Sequence, residues 1–479
     1  MNVLLVASEM APFAKTGGLA DVIGALPRHL HRAGHDVRVF LPLYDRVDTS
    51  KAAFEVALEG IEIRLGAHQY RARIVRSGKE PEIYFVDCPA LFRRGGLYTN
   101  DADEHRRFLA LCWGALAACQ RMGFAPDVIH CNDWQTAMLP LTLKTHFAWD
   151  RLFAKSKTLL TIHNLNYQGL FPAAILPDTN LLDSAHLLHQ DQLRDGRINF
   201  LLHGILYADG VSTVSPTYAA EIQTPEHGAG LDPFLRARKT TVVGILNGVD
   251  YDIWSPQSDT HIPHRYGIKD LGGKELNKQQ LLTKLGLPYI KGVPVMGIVS
   301  RLAGQKGFGL LGEVMPELLR RNPFQLVVLG TGEPSLEDMF SRMQRAFPKQ
   351  VCFYKGFLDP LAHLIEAGAD MFLMPSRYEP CGLNQMYSLR YGTVPVVHRT
   401  GGLADTVIPW SSRTGRCTGF LFEHHDAAGL AWAVRAALTA YGDQTQWRRL
   451  QRNGMAQDFS WETQGKIYET LYSRLQANG

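Results

Sequence analysis

Short β-branched apolar runs alternate with longer helical patterns along almost all of this 479-residue chain, and that alternation limits the folds open to it. In the first half, residues 3–7, 37–41, 127–130, 158–163, 211–214 and 242–246 read as strands. In the second half, residues 295–300, 325–330, 351–354, 370–374, 394–397 and 419–422 do so. Strands that are apolar at nearly every position and separated by helices belong to parallel sheets covered on both faces. The pattern is met once per half, and the length is too great for one core. An α/β chain of two Rossmann-like domains is therefore expected.

Turn and linker signals collect between residues 246 and 293, at Asn247-Gly248, Ser255-Pro256 and Gly272-Gly273. The expected division is residues 1–246, a linker and hinge over 247–292, a second domain over 293–458 and a terminal helix over 459–479. Ser460 is a plausible N-cap for that helix, which is expected to pack back on the first domain.

Composition narrows the function. Fifty basic against 46 acidic residues leave a net charge of +4, too slight to favour nucleic acid or an acidic membrane as main partner. The seven cysteines are scattered without a C-x-x-C pair, which argues against a zinc site and a disulfide framework. No basic-then-apolar segment opens the chain and no apolar run approaches a membrane span. A cytoplasmic location is expected.

In open parallel sheets, ligands lie beyond the carboxyl ends of the strands. Polar and glycine residues gather there in this sequence. Thr-Gly-Gly-Leu-Ala-Asp occurs twice, at 16–21 and 400–405, each time after an apolar run and before a helical segment. Such a turn offers backbone N–H groups to an anion, although a plain repeated turn is the bland alternative. Lys15 precedes the first copy, but the order is neither a Walker pattern nor a dinucleotide fingerprint.

Arg301 and Lys306 close a buried strand, where paired cations suit a diphosphate. The alternative is two solvated charges. Glu379 stands beside Pro380, ahead of a glycine and a helix start. It suits stabilisation of positive charge on a sugar ring, or else a structural ion pair with Arg377. Cys381 reads as a packed small residue, since no neighbouring motif assigns it a base. His163 and Asn164 share a strand tip, and His130, Asp133 and Trp134 share another. Asp101-Ala102-Asp103 and Asp250-Tyr251-Asp252 lie in polar turn-like sequence, so no metal is expected.

In one order, the chain carries Lys15-Thr16-Gly17-Gly18-Leu19-Ala20-Asp21-Val22, His163-Asn164-Leu165, Asn247-Gly248-Val249-Asp250, Arg301, Gln305-Lys306-Gly307, Glu379-Pro380-Cys381-Gly382-Leu383 and Thr400-Gly401-Gly402-Leu403. Over essentially its whole length it resembles the bacterial glycogen synthases, close kin of plant starch synthases. The resemblance implies the GT-B fold, two Rossmann-like domains with parallel sheets facing a central cleft. It implies transfer of glucose from ADP-glucose to the non-reducing-end 4-hydroxyl of an α-1,4-glucan such as glycogen or a malto-oligosaccharide, with retention and without a metal or other cofactor.

By the same resemblance, Lys15, Gly18 and Asp21 serve the donor's diphosphate and glucose region, and Arg301 and Lys306 neutralise the leaving diphosphate. Glu379 faces the glucosyl unit beside Cys381, Gly382 and Leu383, with Asn384, Thr400 and Gly401 near the donor. His163 and Asn164 touch the sugar, Asn247 and Asp133 line the sugar and acceptor region, and Tyr98 lies near the acceptor path. Phe357 stands where a tyrosine is expected at the adenine, and Asn384 where threonine is usual. Asn132 and Gln135 replace histidines around Asp133-Trp134. Tyr387 stands eight positions after Glu379, where many related transferases carry a second glutamate. A UDP-glucose transferase on the same fold and an inactive glucan-binding homologue are the competing readings. The intact set Lys15, Arg301, Lys306 and Glu379 speaks against the second.

Overall fold

The structure, a computed structural model, describes residues 1–50, 53–78, 81–238, 242–411 and 415–477. It divides into two compact units, one of residues 1–214, 219–248 and 461 onward, the other of residues 215–218 and 249–460. Among the described residues no helix is long and apolar enough to cross a membrane.

The first unit holds β1 (Asn2–Val6), β2 (Asp36–Pro42), β3 (Phe54–Leu65), β4 (His68–Ser77), β5 (Glu82–Asp87), β6 (Val128–Asn132), β7 (Lys157–Ile162), β8 (Leu170–Pro172), β9 (Arg197–Asn199), β10 (Gly210–Thr213) and β11 (Val242–Gly244). Nine of these form one sheet in the order β11-β10-β7-β6-β1-β2-β5-β4-β3, and β8 and β9 pair separately. From β11 to β5 every pairing is parallel. Val3, Leu4, Leu5 and Val6 of β1 are wholly buried at its centre, as the continuous apolar run requires.

The β3–β4 hairpin departs from the all-parallel expectation: β4 runs antiparallel to β5, and β3 to β4. Its strands lie at the sheet edge and alternate buried with exposed residues, so they lack the unbroken apolar signature. β5 does carry that signature, with residues 83–87 buried, and the sequence reading omits it.

The terminal helix Trp461–Ala477 belongs to the first unit and packs on the helix Gly18–Arg32. Gly465 permits the approach, since a side chain there would run into the His29 ring. His29 Nε2 lies 2.9 Å from Glu469 Oε1, and Tyr472 Oη lies 2.8 Å from the buried His130 Nδ1.

The second unit holds β12 (Val295–Leu302), β13 (Gln325–Gly332), β14 (Val351–Lys355), β15 (Met371–Met374), β16 (Val394–His398) and β17 (Phe420–Phe422). They form a parallel sheet in the order β14-β13-β12-β15-β16-β17 with apolar cores on both faces.

The stretch read as a linker is, from residue 249, folded into this unit. Its helix Gly272–Lys284 buries Leu281 and Leu282, and packs on the helix Asp359–Gly368. The turn signals there are genuine, but they mark turns inside a packed layer. Lys278 Nζ reaches Asp370 Oδ2 at 2.8 Å, both side chains nearly excluded from solvent. Breaking such a pair strands a buried charge and costs about 3–5 kcal/mol. Lys278→Met should therefore lower the urea stability of the second unit by that order. A loss below about 1 kcal/mol would show that this helix is not docked through the pair.

Candidate active site

At the end of β1 the chain places Glu9, which is buried. Its Oε2 accepts the Thr16 N–H at 2.5 Å and the Gly17 N–H at 3.2 Å, and its Oε1 accepts the Thr16 hydroxyl at 2.6 Å. The first Thr-Gly-Gly-Leu-Ala-Asp turn was expected to face an external anion with these groups. They instead bind the chain's own carboxylate, because charge-assisted bonds near a helix N-terminus satisfy both partners. Gly18 opens the helix that follows.

Tyr98 Oη donates to Glu9 Oε1 at 2.6 Å and lies 2.8 Å from Ser8 Oγ. Burial and the Glu9 charge push its phenol well above the ordinary value, so it stays a donor. Lys15 Nζ donates to Asp21 Oδ1 at 2.6 Å, with the two side chains 53% and 28% exposed. A cavity of about 390 Å³ lies beside them, lined by Lys15, Thr16, Arg46 and Tyr98 among others.

A second cluster sits at the tips of β6 and β7. Asp133 takes a left-handed backbone (φ 55°), and its Oδ1 accepts the His163 N–H at 2.7 Å and the Asn164 N–H at 3.4 Å. Desolvation lifts its pKa to about 7 against those two bonds. Asn132 Nδ2 donates to the carbonyls of Val6 and His130, which turns its Oδ1 to His163 Nε2 at 3.0 Å. His163 Nε2 is therefore the protonated nitrogen, and Nδ1 is left as an acceptor. Burial lowers the His163 pKa to about 3, so the ring is neutral. Asn247 is buried near the end of the unit, next to Gly248, whose α-carbon faces the Trp461 ring.

In the second unit, Lys306 ends the turn Gly304–Lys306 just beyond β12, and its Nζ reaches Glu379 Oε2 at 2.7 Å. The same oxygen accepts the Ser376 hydroxyl at 2.9 Å. Glu379 is thus a buried carboxylate paired with Lys306 rather than with Arg377. Arg301 is exposed at the end of β12 and has no ion-pair partner among the described residues. Phe357 is 72% exposed in the loop after β14.

Cys381, Gly382 and Leu383 lead into the helix Asn384–Arg390, with Cys381 buried and Gly382 in the left-handed region at φ 72°. Asn384 Nδ2 donates to the Val299 carbonyl at 2.7 Å, so this side chain is committed to β12. Thr400 stands at the N-cap position of the helix Gly401–Thr406, and the Gly402 N–H donates to the Glu379 carbonyl at 3.1 Å. A Cβ at Gly401 or Gly402 would collide with the Glu379 or the Cys381 carbonyl.

The family description "Starch synthase catalytic domain" matches residues 2–237, and "Glycosyl transferases group 1" matches residues 287–454. The glycogen synthases of Koribacter versatilis and Myxococcus xanthus are each 46% identical to this chain. They align over 99% and 100% of it, and over 98% and 100% of their own lengths. The chain belongs to the glycogen synthase family. Among solved structures, the catalytic domain of starch synthase IV from Arabidopsis thaliana is 34% identical and superposes with a TM-score of 0.92 over 99% of both chains. Sucrose-phosphate synthase from Thermosynechococcus elongatus, 20% identical with a TM-score of 0.64 over 100% of both chains, shares the fold alone. That fold is GT-B.

For a glycogen synthase family member, the structure brings together Lys15 with Asp21, His163 and Asn164 with Asp133, and Lys306 with Glu379. It adds residues that the sequence reading missed. Glu9 is the largest omission, and its signal was a lone acid directly after an apolar strand. Ser376, His398 and His425, which hold the Glu379 loop, gave none, and Gln305 was quoted only as part of a motif.

The histidines of this family member's first unit make its stability pH-dependent. Burial lowers His130 and His163 to about 3 and His203 to about 4, from an ordinary value of 6.5. Below pH 6.5 the unfolded chain takes up protons that the folded rings refuse. Each ring then loses roughly 1.4 kcal/mol of stability per pH unit until its folded pKa is reached. Asp133 opposes one of the three, since its folded carboxyl gains a proton near 7 and its unfolded one only near 3.8. The first unit should lose roughly 4 kcal/mol between pH 7 and pH 5. Hydrogen exchange of the β1 and β6 amides, corrected for intrinsic rates, reads this directly. Equal or greater stability at pH 5 would refute the assignment of neutral rings.

Proposed function

We propose that this chain transfers glucose from ADP-glucose to the 4-hydroxyl at the non-reducing end of an α-1,4-glucan, retaining the anomeric configuration and using no metal in the step. The observation that carries the reading is the buried Glu379, held by Lys306 and Ser376 at a strand end, in a chain whose relatives are glycogen synthases. The Arabidopsis starch synthase IV domain is bound to ADP and acarbose, a nucleoside diphosphate and an oligosaccharide. Those are the ligand classes that this reaction needs. The seven cysteines, none of them in a disulfide among the described residues, support a cytoplasmic enzyme.

On this reading Arg301 and Lys306 take the diphosphate, and Lys15 serves its glucose end with Gly18 and Asp21. Phe357 offers a face for the base. His163 accepts a sugar hydroxyl at Nδ1, and Asn164, Asp133, Asn247 and Tyr98 line the sugar and acceptor region. The C1–O bond to phosphate breaks as the acceptor oxygen approaches from the same face, and the departing phosphate oxygen receives the acceptor's proton. Glu379 stabilises the positive charge that appears on the ring in between.

Glu379→Gln should lower kcat by about 10²–10³ while ADP-glucose still binds, the loss typical of removing one charge-stabilising group. Near-normal turnover would remove Glu379 from the mechanism. Donor choice is read by following radiolabelled glucose into glycogen from ADP-glucose and from UDP-glucose. ADP-glucose should be the better donor, and equal or preferred use of UDP-glucose would overturn that part of the reading.

A further inference from the structure

On the second unit, three side chains outside the set just described converge. Asp359 and His363 lie four residues apart on the helix Asp359–Gly368, and so on one face of it. His261 comes from the segment that precedes the helix Gly272–Lys284. The ligand atoms of His261, Asp359 and His363 all lie within 4.8 Å of one another.

The decisive group is His363, which is completely buried and stacked on Trp254 with ring centroids 3.8 Å apart. Its Nδ1 lies 2.8 Å from Asp259 Oδ2, which also accepts the Tyr391 hydroxyl at 2.6 Å. Asp259 is a carboxylate acceptor, so Nδ1 carries the proton and Nε2 holds a lone pair. That Nε2 is buried without a hydrogen-bond partner. It faces Asp359 Oδ2 at 3.9 Å, and His261 Nε2 faces the same oxygen at 4.0 Å.

A lone pair aimed at a carboxylate is unfavourable unless a cation stands between them. An imidazolium paired with Asp359 would need a shorter gap to form a hydrogen bond. From this geometry we propose that His261, Asp359 and His363 bind one zinc ion. Two imidazole nitrogens and one carboxylate oxygen form a set that suits zinc over magnesium or calcium, with water completing the tetrahedron.

His261 and Asp359 are exposed and can close the last distance to bonds of about 2.0–2.2 Å. Asp259 behind His363 is the outer carboxylate that orients a ligating imidazole and raises its basicity. The His261 N–H also donates to Asp259 Oδ1 at 2.8 Å, so one carboxylate places two of the three ligands. The cysteine pattern, which argued against a zinc site, is silent on such a set. Zinc would fasten the start of the helix Asp359–Gly368, two residues beyond Phe357, to the segment that carries His261.

Metal-stripped full-length protein titrated with Zn²⁺ by calorimetry should bind one equivalent, and Co²⁺ should give the visible absorption of a low-coordinate site. His261→Ala and Asp359→Asn alter exposed side chains, and circular dichroism will confirm that each variant folds. Each should weaken zinc by more than about 100-fold, beyond the 10–100-fold typical of losing an outer partner. Zinc should raise the thermal midpoint of the parent chain and of neither variant. Failure to bind one equivalent at tens of micromolar zinc would overturn the proposal. So would binding that both substitutions leave unchanged.

Discussion

Two backbones meet at the ends of β15 and β16 with no room for a side chain between them, and the geometry around Glu379 depends on that contact. Met374 and Val397 are register partners in adjacent parallel strands, so the loops that follow leave the sheet side by side. Gly401 and Gly402 lie directly against the carbonyls of Glu379 and Cys381, and the Gly402 N–H is bonded to the first of them. Only glycine tolerates this approach. Further bonds hold the same loop at Pro375 from His425, at Ser376 from His398, at Pro380 from Ser215, and through the Arg377 N–H to Gln305. A carboxylate on a loop anchored at so many points loses little further freedom when it acts.

The same six residues do a different task in the first unit, which shows how far a local string determines structure. Both copies lead an extended residue into a helix, at Gly17 and at Thr400. A side chain at Gly17 would meet nothing, whereas one at Gly401, at φ 42°, would strike backbone. In the first copy the constraint is electrostatic: Glu9 is buried, needs donors, and finds them in the Thr16 and Gly17 amides. In the second it is steric. The repeat marks two strand ends, but its surroundings decide what each turn holds.

The parallel sheets were legible because a strand covered on both faces cannot hide its apolar run. β1, β12 and β13 match the sequence reading to within a residue or two. The β3–β4 hairpin was not legible, since a half-exposed edge strand carries charge on alternate residues. In the candidate site, Lys306 and Glu379 were found by their place at strand ends, and their union was not. Spacing gave the choice between a role at a sugar ring and an ion pair with Arg377, while the salt bridge to Lys306 spans two loops distant in sequence. Likewise Asn132 looked like a departure from a usual histidine. Only the structure shows its amide fixing which nitrogen of His163 carries the proton.

The pairing of Lys306 with Glu379 bears on how the proposed reaction gains its rate. Both side chains are largely withdrawn from water, at 20% and 7% exposure, and lie 2.7 Å apart. A diphosphate that binds Lys306 competes for the same ammonium and leaves the buried Glu379 with the Ser376 hydroxyl as its remaining partner. A carboxylate so placed is poorly solvated in the ground state. Its missing partner returns only when the glucosyl ring becomes cationic. The attraction is therefore stronger in the transition state than in the bound substrate, the one condition under which an interaction raises kcat rather than merely tightening binding.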